Sequence, residues 1–234
     1  MTDQAGSTET TAFTRARWMV GLAIILAIGA IAQYPGGDRF DHSSLGYSIS
    51  RNFLSDLGMT MSFSGQRNLL GATFFVFSLV LVVFGLGGCL IGFVHLCSES
   101  SRQRQFAQGA AAVGLIVCAA FIGVALTPEN RLMSVHLWLT LFAFRVFPVA
   151  ALLMVFASMS SRVFPRRITV AWVVLTAVLT VYVIVIGWGP RTSTREGLTF
   201  QVTAQKIVAI AAVTILVYLS VQADRVLATV RRND

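Results

Sequence analysis

Charge is scarce in this sequence. Asp, Glu, Lys and Arg together make up 12% of the 234 residues, against about 25% in an ordinary soluble domain. A surface so poor in charge cannot face water on all sides, and the 56% of hydrophobic residues need lipid to cover them. Lysine is nearly absent: of 18 basic residues one is lysine and the rest are arginines. They are scattered singly or in pairs between apolar runs, which excludes a basic nucleic-acid surface. Cysteine is rare as well. Cys89, Cys97 and Cys118 form no CxxC pair and no disulfide framework, and neither a metal nor a cofactor is expected. Acidic residues number ten, and none lies in the middle of an apolar run. Proton-coupled transporters place Asp, Glu or His at membrane depth, so that class is disfavoured.

What is present is a set of long apolar runs, each near the ~20 residues needed to cross a hydrocarbon core. They fall at about Trp18–Tyr34, Leu69–Leu96, Phe106–Leu126, Val135–Met159, Ile168–Trp188 and Val202–Val221. The expected fold is therefore an all-α integral membrane bundle of six transmembrane helices, multi-pass in the cell membrane. Residues 1–14 are polar and read as a disordered tail, 15–225 as the membrane domain and 226–234 as a cytoplasmic tail. Arg15, Arg17 and the triplet Ala30-Ile31-Ala32 also fit a cleavable signal peptide, although the polar lead is long for one. Five helices would then remain. With the N-terminus inside, ten arginines lie on the inner side and six on the outer, which favours an N-in, C-in orientation. Pro148 removes a backbone donor inside the fourth run and is expected to kink it.

The connection from Pro35 to Asn68 is far longer than most helix–helix connections and is expected to lie outside. Ile49, Phe53, Leu54 and Leu57 recur at helical spacing, with Ser48 as a cap and Gly58 as a terminator. A short amphipathic helix over Ile49–Leu57 is the expectation. Asn52 and Asp56 fall side by side at the edge of its apolar arc and point inward, while Arg51 and Ser55 lie further round. Asp56 either pairs structurally with an arginine or faces a ligand. His136 opens the fourth run on a face shared with Thr140, Ala143 and Phe147. Arg145, nine residues later, projects to the opposite face; carbonyls freed near Pro148 are its expected partners, ahead of a carboxylate or a lipid phosphate. Gln205 and Lys206 lie just inside the last run, where Lys206 can snorkel outward.

The string Asn52-Phe53-Leu54-Ser55-Asp56-Leu57-Gly58, with Gly65 to Asn68 after it, resembles a motif of domain-of-unknown-function family 998. Pro128-Glu129 with His136 and Phe144, and Gly197-Leu198 with Gln205-Lys206, are similar to that family's later motifs. The resemblance spans roughly residues 18 to 225 and implies a six-helix membrane fold with no assigned activity. A looser likeness reaches the DRAM and Sfk type of membrane proteins, implicated in autophagy and lipid organisation. Lys206 stands where the pattern prefers arginine, and lysine is a point charge without a bidentate fork.

Three functions follow as expectations. The leading one is binding of membrane lipids or another amphiphile at an outer-side polar pocket made by Asn52, Asp56, His136, Gln205 and Lys206. The second is a membrane-embedded hydrolase or transferase with His136 as base, Asp56 as its partner and Ser55 as nucleophile. The third is a non-catalytic membrane subunit that binds a protein partner.

Overall fold

The computed structural model describes the backbone of residues 3–233 and the side chains of residues 12–229. Six long helices carry the fold: α1 (Asp3–Gln33), α2 (Leu69–Leu96), α3 (Ser101–Leu126), α4 (Glu129–Met159), α5 (Arg166–Trp188) and α6 (Arg195–Asn233). Each contains a stretch long and apolar enough to cross a membrane, as a multi-pass membrane protein requires. In such a solvent a helix is the economical element, because it satisfies its backbone polar groups within itself.

Most helices begin before their apolar run does. α3 starts at Ser101 because the Ser100 hydroxyl accepts the Gln103 N–H at 3.2 Å, a side-chain N-cap. α5 follows Pro165, which cannot donate a backbone bond and is suited to a helix entrance. α1 likewise extends back to Asp3, through residues whose composition suggested disorder. The end of that stretch belongs to the core: Phe13 is fully buried, edge-on to Phe93 at 5.3 Å. α4 contains Pro148 as expected, yet its non-helical residue is Leu132, at φ −131° and ψ 44°. The break lies one turn after Pro128, where the chain bends over from the short α3–α4 turn.

Consecutive helices pack side by side and α6 returns to α1, closing a ring. Apolar lipid offers no hydrophobic drive for such packing, so close approach and polar contacts must hold it. α1 and α2 show both. A Cβ at Gly92 would sit 2.8 Å from the Phe13 ring, and the Ser78 hydroxyl donates to the Ala23 carbonyl at 2.8 Å. At one end of the ring Arg17 of α1 pairs with Asp224 of α6 at 2.5 Å. At the same end Glu99 joins the α2–α3 turn to the α4–α5 turn, accepting the Arg162 N–H at 2.8 Å and the Ser161 hydroxyl.

Residues 35–68 cap the opposite end. The expected amphipathic helix over Ile49–Leu57 is absent. In its place Ser48–Asn52 form a turn, closed by Asn52 N–H to the Ser48 carbonyl at 2.9 Å, and Leu54–Gly58 form a single 3₁₀ turn. Ile49, assigned to the apolar face, is 70% exposed. Polar side chains have outcompeted the helix ladder here: the Asn52 Oδ1 accepts the Ser48 N–H, and the Asp56 carboxylate accepts the Phe53 N–H. Gly37 lets the cap fold flat. Its φ of +84° suits glycine, and a Cβ there would lie 2.4 Å from the Ser64 nitrogen.

Candidate functional site

Four of the five residues expected to form a pocket are brought together beneath the cap, but as a latch. Asn52 is fully buried and every polar group of its side chain is used. Its Nδ2 donates to the Gly37 carbonyl at 3.0 Å and to Asp56 Oδ2 at 3.1 Å, while its Oδ1 accepts the Ser48 N–H at 2.9 Å. The Asn52 carbonyl accepts the Tyr47 hydroxyl at 3.0 Å and the Lys206 ammonium at 2.5 Å. Gln205 Oε1 accepts the Leu54 N–H at 2.7 Å. Adjacent residues of α6 thus clamp both ends of the Asn52–Leu54 segment.

Asp56 sits at the centre of this cluster, 2% exposed. Oδ2 accepts from Asn52 and Phe53; Oδ1 is buried with no partner. Burial pushes its carboxyl up to about 8, and the negative charge of Glu129 adds to the shift. The bonds from Asn52 and Phe53 and the Lys206 charge oppose it without prevailing. Among the described residues no arginine pairs with Asp56: Arg51 goes to Asp38 instead, at 3.1 Å. Tyr34, just beyond α1, buries its hydroxyl beside the Phe63 backbone. Desolvation and then the Asp56 charge raise its titration well beyond the ordinary tyrosine range.

The groups needed for catalysis go separate ways. Ser55 Oγ donates to Glu129 Oε2 at 3.4 Å. His136 Nδ1 contacts the Thr127 carbonyl at 2.7 Å, and since a carbonyl can only accept, Nδ1 carries the proton. Its Nε2 is buried and unpartnered. No hydrogen bond connects His136 to Ser55 or Asp56, so the nucleophile–base–orienter chain is not assembled. Among the described residues no group of three or more His, Cys, Asp or Glu is placed to hold a metal ion. His42 stacks on Phe63.

A cavity of about 920 Å³, open along the outer face of the bundle, lies elsewhere, between α5 and α6. Val178, Val181 and Val185 face Phe200, Thr203 and Ile207 across it, and Arg195 and Glu196 stand at the end nearest the cap. None of Asn52, Asp56, His136, Gln205 and Lys206 lines it. The polar cluster and the roomy cavity are therefore separate features, and the cavity is the better candidate for a ligand because its walls are not already occupied by the cap. Its α6 lining recurs every three or four residues from Arg195 to Val208. That stripe is present in the sequence, but the motifs drew attention to Gln205 and Lys206.

Asn68 is a further structural residue. Its Nδ2 donates to the carbonyls of Leu57 and Met59 at 3.0 and 2.9 Å, which fixes the end of the 3₁₀ turn on the start of α2. Gly71 must be small beside it, since a Cβ there would lie 2.2 Å from Asn68 Oδ1.

No protein-family model, curated protein or solved structure matches this chain. The likeness to family 998 therefore stands on the quoted motifs alone.

Proposed function

We propose that this chain is a non-catalytic membrane protein that binds a lipid-like amphiphile from the outer leaflet. The apolar chain of the ligand lies in the α5–α6 cavity, and its polar head meets Arg195 and Glu196. The observation that carries this reading is the cavity itself. Its size falls within the range of ~300–1,000 Å³ found for small-molecule sites, its walls are almost wholly apolar, and its charged residues are gathered at one end. A zwitterionic or anionic head suits that end, because Arg195 presents a cation whose other contacts are the Phe40 carbonyl at 3.3 Å and the Phe40 ring.

In this reading the polar cluster of Asn52, Asp56, Gln205 and Lys206 holds the cap over the bundle, and His136 braces the α3–α4 turn. Val178, Val181 and Val185 on α5 with Phe200 and Ile207 on α6 offer the ligand an apolar wall along its length, which favours binding of an acyl chain. The test is native mass spectrometry of protein purified in mild detergent. The parent should retain a phospholipid, and Ala204→Trp, which fills the cavity from a half-buried position, should lose it at an unchanged melting temperature. Equal retention by the two proteins sinks the proposal.

A further inference from the structure

Arg145 is exposed, and among the described residues no hydrogen bond or ion pair engages it. The expected carbonyl partners near Pro148 are not used. This is the deepest charge in the apolar part of the chain: it lies nine residues beyond His136, or ~14 Å along the helix at 1.5 Å per residue, and thirteen residues before Ser158 at the other end of α4. An ionisable group at such depth costs ~2.5–3.5 kcal/mol on insertion scales and by default marks a functional contact.

The surface around Arg145 is continuous. From Trp138 to Met159 the exposed side chains of α4 are Trp138, Arg145, Val149, Leu152, Phe156 and Met159, with Phe142 partly buried between the first two. The steps alternate four and three residues, the spacing of a helix-packing seam. Trp138 and Phe142 stack at 5.3 Å and flank Arg145 on the side toward which an arginine on α4 would reach, since side chains lean toward the helix N-terminus. His136 is already ~14 Å away along the helix, further than an extended arginine reaches, so a partner at the depth of Arg145 itself is a better match than a lipid phosphate.

We propose that this face of α4 docks a membrane-spanning helix of another protein, one that carries an Asp or Glu in mid-span against Arg145. A second copy of this chain does not supply that group. None of its acidic residues lies in the middle of an apolar run, and two α4 faces placed together would oppose arginine to arginine. A carboxylate on a foreign helix satisfies both charges at once, in a medium where an unpaired one is costly.

The probe is a leucine–alanine membrane-spanning peptide with one central Asp, compared with the same peptide carrying Leu there. Energy transfer to the labelled protein is measured in phosphatidylcholine vesicles free of anionic lipid. The parent should bind the Asp peptide about tenfold more tightly, equivalent to ~1.4 kcal/mol. Arg145→Lys should keep most of the difference and Arg145→Leu should erase it. Because Arg145 has no partner in the bundle, both variants should melt like the parent. Equal binding of the two peptides, or a preference that survives Arg145→Leu, overturns the proposal. So does selective retention of an anionic lipid that Arg145→Leu releases and that displaces the Asp peptide, which would make the face a lipid site.

Discussion

Lys206 donates to the backbone carbonyl of Asn52 at 2.5 Å, so a residue within the last helix holds the main chain of the cap 154 positions earlier in sequence. The same ammonium lies 5.3 Å from the centre of the Tyr47 ring. Lys206→Met keeps much of the aliphatic stem and removes both contacts. Hydrogen bonds to charged groups contribute ~1.5–3 kcal/mol, less at a part-buried site such as this one. The variant should speed amide exchange over residues 52–58 severalfold while α2 and α3 exchange as in the parent. Unchanged protection of the cap would mean that Gln205 and Asn68 hold it without Lys206.

Asp56 should make that cap sensitive to pH. Its carboxyl titrates near 8 in the folded chain, above the ordinary value of 3.8, so the folded state holds the proton that the unfolded state releases. The cap is then most stable below about pH 4 and loses stability progressively as pH rises to about 8. Glu129 from α4 strengthens the effect and Lys206 from α6 weakens it. Amide exchange of residues 53–58, corrected for its intrinsic pH dependence, should accelerate from pH 5 to pH 8.5. Asp56→Asn, neutral throughout, should flatten the profile. A parent profile as flat as that of the variant would place the proton elsewhere.

Asn68→Ala removes two buried donors and leaves the Leu57 and Met59 carbonyls without them. An abandoned buried acceptor costs ~1–3 kcal/mol, so the detergent melting temperature should fall by several degrees. The same substitution frees the space that keeps position 71 small, and Asn68→Ala combined with Gly71→Ala should be less harmful than the sum of the two changes. Additive effects would show that the close contact between Asn68 and Gly71 is unimportant.

The six spans were legible because an apolar run of membrane length has only one economical conformation. The ends of α2 read directly from sequence at Leu69 and Leu96. Helix starts were less visible, since a helix already nucleated continues at little cost into polar residues such as Arg195–Gln201. That Asn52 and Asp56 lie side by side is legible in the sequence, but through the wrong local structure. The two residues meet at 3.1 Å, but through a turn and a 3₁₀ segment rather than along one helix, because Asn and Asp side chains compete for backbone N–H groups that a helix would need. Periodicity is blind to that competition. Arg145 is exposed where His136 is buried, as their nine-residue spacing implies, whereas the absence of a partner for it among the described residues could be learned only from three dimensions.

Orientation rests on ten arginines against six, and the structure provides a clean way to test it. Cys89, Cys97 and Cys118 are all free and buried, and burial pushes the Cys97 thiol up to about 12, where little reactive thiolate forms at neutral pH. Native Cys97 therefore reports on packing rather than on sidedness, and the parent protein is a low-background control. Ser43 in the cap and Ser193 in the α5–α6 turn are exposed at one end of the bundle, and Ser101 is exposed at the other. With both termini inside, single cysteines at Ser43 and Ser193 should react with an impermeant maleimide in intact cells, while one at Ser101 reacts only after permeabilisation. Early labelling at Ser101 with protection at the other two would invert the bundle, moving the cap and the charged end of the α5–α6 cavity to the cytoplasmic face. The amphiphile would then have to come from the inner leaflet.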